Sequence, residues 1–226
     1  MLLLGKETDT QDITGTVLKE CDPSEITEET AKKCIESFIG EYDQIPPMYS
    51  ALKVNGKKLY ELAREGKVVE RKSRKVQIYD IRIKEMKLPR IRMEVSCSKG
   101  TYIRTLCNDV GEVLGVGGCM ESLLRTKVSR FELKDSMKLA DIEKAKNEGR
   151  TEEIILPLDE VFVEYPKIIE TGRQAQLAYN GNPFPKESAK NLILPGKDGG
   201  EDDLSDIFSR YKKYRVYDEQ GRFIAI

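Results

Sequence analysis

The chain has 226 residues, 39% hydrophobic and 34% charged, enough for one large domain or for a medium and a small one. No apolar run reaches the length of a membrane span, and Met1-Leu2-Leu3-Leu4 is too short for a signal peptide, so the cytosol is the expected location. The formal net charge of −1 hides a segregation: residues 1–48 carry four Lys and Arg against eleven Asp and Glu, residues 49–99 fifteen against six, and residues 132–226 fifteen against nineteen.

The basic middle is a candidate polyanion surface, although an ordinary solvated face has the same composition. Histidine is absent, which excludes Ser–His and Cys–His nucleophile systems and the usual mixed zinc sites. Chemistry would fall on carboxylates, Tyr, Lys or Cys. The five cysteines (Cys21, Cys34, Cys97, Cys107, Cys119) are odd in number and form no Cys-x-x-Cys pair. They read as small, reduced, largely core residues.

In chain order, Leu2-Leu3-Leu4-Gly5 reads as the end of a buried strand. Thr8-Asp9-Thr10-Gln11-Asp12 follows, a loop dense in side-chain acceptors. It suits an Asx-type turn, or a carboxylate that orients a cation. Thr27 caps a predicted helix with the stripe Ala31, Cys34, Ile35 and Phe38, and Gly40 ends it. Pro46-Pro47 breaks regular structure, and Asn55-Gly56 marks a hairpin. There Met48, Tyr49, Leu52 and Val54 interleave with Lys53, Lys57 and Lys58, a mixture that suits a nucleic-acid backbone. A short helix carries Leu59, Leu62 and Ala63 and stops at Gly66. Val76–Ile83 and Ile91–Cys97 read as antiparallel strands joined through Lys87-Leu88-Pro89.

The next stretch, Cys97-Ser98-Lys99-Gly100-Thr101-Tyr102-Ile103-Arg104, switches the hydrophobic period. Ile91, Met93, Val95 and Cys97 alternate as a strand, whereas Ile103, Leu106, Val110, Val113 and Leu114 recur at helical spacing. Gly100 permits the turn, and Thr101 is placed to cap the helix. Free N–H groups at such a start attract anions. Tyr102 offers a ring for a base and Arg104 a fork for a phosphate or carboxylate. A capped amphipathic helix with a surface arginine fits the same residues. Beyond it, Leu123–Leu133 is mostly strand-like, Leu139–Ala145 a short helix, and Ile154–Asp159 an apolar extended bridge. Thr171–Tyr179 is helical, and Tyr214–Tyr217 pairs with Arg222–Ala225. The polar stretch Gly196–Ser205 reads as a mobile insertion.

Several of these segments resemble the TruB family of tRNA pseudouridine synthases. They are Pro46-Pro47-Met48-Tyr49-Ser50-Ala51-Leu52-Lys53, then Gly56 to Gly66, and Ser98-Lys99-Gly100-Thr101-Tyr102-Ile103-Arg104-Thr105. Thr8-Asp9-Thr10-Gln11-Asp12 is similar to the family's Thr-Asp-Thr-x-Asp loop, and Leu123-Leu124-Arg125-Thr126 to its Leu-Arg-Arg segment. The resemblance implies an α+β fold, a mixed, mainly antiparallel central sheet with flanking helices. It places a catalytic domain at 1–165 and a small β-rich, PUA-like RNA-binding domain at 166–226. It also implies cofactor-free and metal-free isomerisation of the T-loop uridine of tRNA to pseudouridine, with the base flipped into a pocket and an aspartate as nucleophile. Tyr102 would line the pocket, Arg104 would pair with the catalytic aspartate, Asp12 would join the same network, and Leu124 would pack beside the uracil. Lys53, Lys57, Lys58, Tyr49 and Lys99 would contact the T stem-loop.

The sequence departs from the family at one decisive place: it holds no Gly-Thr-Leu-Asp-Pro, the motif that carries the nucleophile. Leu158-Asp159 lacks that motif's context. Relative to the family, the chain is therefore expected to be truncated at its N-terminal end and silent alone. An open sheet edge is expected near Leu2–Leu4, favouring self-association or capture of a missing segment. The competing reading is a non-catalytic tRNA-binding or tRNA-folding module; a decayed fragment without function is a third.

Overall fold

The computed structural model describes residues 1–185, 191–195, 207 and 209–226. The expected insertion at Gly196–Ser205 lies outside them. The described chain divides into two units, Met1–Lys134 and Asp135–Ile226. Residues 135–165 group with the second unit.

The first unit begins with β1 (Leu2–Leu4), β2 (Lys6–Thr8) and β3 (Val17–Glu20). Helix α1 (Glu28–Glu36) follows, and the hydroxyl of its N-cap Thr27 accepts the Thr30 N–H at 3.2 Å. Next come β4 (Gly40–Gln44), β5 (Lys53–Val54) and β6 (Lys57–Lys58). Asn55 and Gly56 join the last two with φ of 51° and 84°, the pair of positive values a tight hairpin needs. Helix α2 (Leu59–Arg64) precedes the long ribbon of β7 (Arg74–Lys87) and β8 (Arg90–Cys97). Helix α3 (Ile103–Val113), β9 (Gly118–Met120) and the small hairpin of β10 (Lys127–Val128) and β11 (Phe131–Glu132) complete the unit.

Five strands form one antiparallel sheet in the order β4-β7-β8-β1-β9. Its core joins Leu2, Leu4, Ile78 and Ile91 to Ala31 and Ile35 of α1 and to Leu106 and Val110 of α3. The open edge expected at Leu2–Leu4 is not there. All three leucines are buried, and β1 is hydrogen-bonded on both sides, to β8 and to β9. A run of consecutive apolar residues buries both faces of a strand, which is the mark of an interior position. The edges are β4 and β9. The second of these is partly covered, because Met120 donates to the Gln11 carbonyl and accepts from the Ile13 N–H.

Helix α3 is seated on β9 through glycines. A Cβ on Gly111 would lie 2.1 Å from the Gly118 nitrogen, and one on Gly118 would lie 2.6 Å from the Cys107 carbonyl oxygen. Backbone meets backbone there, so the helix has one depth and one axial position.

The second unit holds α4 (Leu139–Asn147), β12 (Lys167–Ile169), α5 (Gly172–Tyr179), β13 (Asn191–Ile193), β14 (Arg215–Tyr217) and β15 (Phe223–Ala225). Its sheet runs β13-β12-β14-β15, with β12 and β14 parallel. The segment expected as an extended bridge instead follows one short 3-10 turn, Thr151–Glu153, and ends in another, Asp159–Phe162. Asp218 closes the β14–β15 turn. Burial alone would raise its carboxyl, but hydrogen bonds from Tyr179 and Arg222 bring it down to about 2.

Candidate active site

Gly100, at φ 85°, makes the turn between β8 and α3. Thr101 is not the helix cap. Its hydroxyl turns back to donate to the Ser98 carbonyl at 2.9 Å, and Tyr102 takes the N-cap position in extended backbone without a side-chain cap of its own. The ribbon fixes the start of the turn: the Ser98 N–H donates to the Gln77 carbonyl, and the Ser98 hydroxyl accepts the Gln77 N–H.

A residue from β4, distant in sequence, holds the far side. The Gln44 side chain is only 1% exposed. Its Oε1 accepts the Tyr102 N–H at 2.8 Å, and its Nε2 donates to the Tyr102 carbonyl at 3.1 Å and also to Tyr42 Oη. Two residues on, Arg104 Nη2 donates to the Tyr49 carbonyl at 2.7 Å. Tyr49 Oη reaches Asp9 Oδ2 at 3.4 Å. Tyr102, Arg104 and Tyr49 are thus brought together, and all three are partly buried. Among the described residues no ion pair includes Arg104, and one edge of its fork is left for an acid or a phosphate.

The Thr8–Asp12 loop is stitched to the same helix. Gln11 sits at φ 61°, and its Oε1 accepts the Thr105 hydroxyl at 2.7 Å. Asp12 does not approach Arg104 through its carboxylate. Its Oδ1 accepts the Thr14 N–H at 3.0 Å and the Thr14 hydroxyl at 2.6 Å, the Asx-type arrangement. Asp9 Oδ1 likewise accepts the Thr16 N–H at 2.8 Å.

Leu124 is 70% exposed and lines an open cleft of about 650 Å³ with Ile103, Met93, Val95 and the charged Lys84, Arg92 and Glu94; Tyr102 and Arg104 do not line it. A second recess, about 450 Å³, is lined by Asp9, Gln11, Met48, Tyr49, Arg71 and Asn108. Lys53 and Lys99 are exposed. Lys57 pairs with Glu65 at 3.4 Å, and Lys58 donates to Tyr60 Oη at 3.2 Å while lying 5.4 Å from that ring's centre. Among the described residues there is no cluster of three or more His, Cys, Asp or Glu suited to a metal, and no helix long and apolar enough to cross a membrane. Gln44, Gln11 and Thr105 escape the sequence reading, because hydrogen bonds between residues so far apart leave no local period or spacing.

Family models for the TruB family pseudouridylate synthase (N terminal domain) and for the tRNA pseudouridylate synthase B C-terminal domain match residues 1–103 and 104–163. The tRNA pseudouridine synthase B of Clostridium kluyveri is 39% identical over 225 residues, covering 100% of this chain and 71% of the relative. The chain belongs to the TruB family of pseudouridylate synthases. The tRNA pseudouridine synthase B of Lachnoclostridium phytofermentans is 44% identical over 200 residues, 85% of this chain. This TruB chain spans 62% and 61% of the lengths of that relative and of its Clostridium tetani counterpart. Among solved structures, a chain of a Cbf5-Nop10-Gar1 complex superposes with a TM-score of 0.60 at 21% identity, over 88% of this chain and 54% of that one. That likeness is one of fold, and it agrees with the expected α+β architecture.

Proposed function

We propose that this chain serves the formation of pseudouridine in tRNA, supplying the base-holding and RNA-gripping part of a tRNA pseudouridine synthase. One observation carries the reading. Tyr102 and Arg104 sit on one fixed helix start, the first as a planar ring and the second as a half-used guanidinium. In this reading Tyr102 stacks on the flipped T-loop uracil, Leu124 packs beside it, and Arg104 holds a catalytic carboxylate. Lys53, Lys57, Lys58, Tyr49 and Lys99 grip the T stem-loop, and residues 166–226 act as a PUA-like RNA-binding domain.

The reaction needs a nucleophilic carboxylate beside Arg104. The 226 residues include no Gly-Thr-Leu-Asp-Pro; the Asp12 carboxylate is engaged within its own loop, and that of Asp9 bonds the loop through one oxygen and the Tyr49 phenol through the other. This favours a second reading for the chain tested by itself, a tRNA-binding module without the chemistry.

Two measurements separate the readings. The chain is mixed with a T stem-loop carrying tritium at C5 of the target uridine, since moving the glycosidic bond from N1 to C5 releases that hydrogen. Binding is followed in parallel against salt. Binding without release supports the module reading for this chain, and release supports the synthase reading in full. Absence of binding at low salt overturns both. Replacing Lys53, Lys57 and Lys58 with Ala should flatten the dependence of log affinity on log salt by about two units. An unchanged slope makes the hairpin an ordinary solvated face.

A further inference from the structure

We propose that Gln44 is the positioning residue for Tyr102: its buried amide fixes the peptide of Tyr102 on both sides and so aims the ring at the base. The proposal rests on the reading of Tyr102 as the base-holding residue and deepens it.

A backbone position has two soft torsions, and both are constrained here. The Tyr102 N–H is bound by Gln44 Oε1, and the Tyr102 carbonyl is shared between Gln44 Nε2 and the Leu106 N–H. The peptide planes before and after the Tyr102 Cα are therefore held by groups outside the turn, which fixes the Cα–Cβ direction of the side chain. An N-cap is otherwise a loose place: its backbone is extended, and only its carbonyl belongs to the helix. Tyr102, unlike Ser, Thr, Asp or Asn, brings no capping oxygen. A short or charged residue would satisfy the local geometry better, so a tyrosine here needs its backbone held from elsewhere.

Gln44 suits that task by chemistry and by place. A primary amide presents an acceptor and a donor side by side, as a neighbouring strand would; a carboxylate lacks the donor, an ammonium lacks the acceptor, and a hydroxyl carries both on a single oxygen. Burying an amide is costly unless its hydrogen bonds are made, and here three are made, the third to Tyr42 Oη. Tyr42 lies on the same strand with its ring edge-on to Phe38, the centroids 5.4 Å apart. The amide is held by one aromatic anchor and in turn holds another aromatic in the site. Its own strand is anchored where Gln44 pairs with Arg74 at the end of the β4–β7 ladder.

The test compares two RNAs. One is a T stem-loop with the target uridine, and the other is the same stem-loop with an abasic residue there. The affinity ratio measures what the base contributes, separately from the backbone grip. For the wild-type chain the ratio is expected to be about tenfold or more. In Gln44→Leu, a shorter apolar replacement that removes both amide contacts, the ratio should collapse toward one while affinity for the abasic RNA stays within about twofold. Tyr42→Phe, which removes the phenol and keeps the ring, should lower the ratio by about two- to threefold. Amide hydrogen exchange should speed up at Tyr102 in Gln44→Leu and stay unchanged along β7. A wild-type ratio that persists in Gln44→Leu, or equal losses on both RNAs, overturns the proposal alone. A wild-type ratio of one overturns the reading of Tyr102 and the proposal with it.

Discussion

The β7–β8 ribbon and the Ser98–Arg104 turn are continuous in sequence, yet their charges behave in opposite ways. On the ribbon the basic side chains other than Arg74 meet acids. Arg82 pairs with Asp80, Lys84 with Glu94, Lys87 and Arg92 with Glu85, Arg90 with Glu121, and Lys75 with Glu41. The pairs run both along and across the strands: Arg82 and Lys87 reach acids two residues away on β7, Glu85 lies directly opposite Arg92, and Lys84 reaches diagonally to Glu94. At the turn, Arg104 has only a carbonyl as its partner among the described residues. Net charge counted along the sequence therefore overstates the ribbon as an RNA surface and understates the turn. What matters for a polyanion is which cations lack a partner after folding.

The turn also depends on support that the ribbon does not need, and this gives the largest expected effect. Gly111→Ala would push a methyl group into the backbone of Gly117 and Gly118, where no flexible side chain can yield. Loss of about 3 kcal/mol or more is expected in denaturant unfolding of the chain, with RNA binding lost as α3 shifts. An alanine on the ribbon's exposed face, at Tyr79, should cost far less. Equal effects at the two places would mean that α3 is not the rigid support described above.

The next effect separates the regions by function. Tyr102→Ala and Arg104→Ala should each weaken binding of a T stem-loop by about tenfold, while Arg82→Ala and Lys87→Ala, on the ribbon and outside the Leu124 cleft, should each change it by less than about twofold. Titration at fixed salt checks this. A larger loss from the ribbon variants would return the grip to the sheet and break the comparison.

A third effect lies further along the same helix. Burial pushes the Asp109 carboxyl up to about 6, with a nearby Glu112 adding to the rise. A carboxyl raised on folding binds its proton more tightly in the folded state. Its favourable contribution is complete below the unfolded value near 4 and is lost as pH rises through about 6. Asp109→Asn should therefore stabilise the chain by about 1 kcal/mol at pH 8 and by almost nothing at pH 4, read as the difference in thermal midpoints. An equal gain at both pH values would mean that the carboxyl's charge is not the cause.

How much of this was legible in the sequence follows from the range of the interactions. The Thr27 cap, the Asn55-Gly56 hairpin and the period change at Gly100 are local, and each appears as read. The ring and fork of Tyr102 and Arg104 were visible as residue types at a helix start, and the family motif singled them out. Strands β2, β4, β9 and β12 were missed because Lys6–Thr8, Gly40–Gln44, Gly118–Met120 and Lys167–Ile169 are too short or too polar to show a period of two. Leu2–Leu4 was placed at an edge because nothing local tells an interior strand which neighbours it has. Gln44 was unreadable for the same reason: its partner lies far along the chain.

The smallest effect tests the ribbon by itself. If its charges are matched by register, removing one member should release its partner at little cost in stability. Lys84 and Glu94 are both about half exposed, so solvent screens them, and Lys84→Ala should leave the thermal midpoint nearly unchanged. The more telling readout is Glu94, whose carboxyl is held below its usual range chiefly by the hydrogen bond from Lys84. Followed by NMR, that carboxyl should titrate higher in Lys84→Ala, and raising salt in the wild type should move it the same way. If instead Glu94 keeps its low value without Lys84, the pairing is not what neutralises the ribbon. The unmatched charge at the turn would then no longer set the two regions apart.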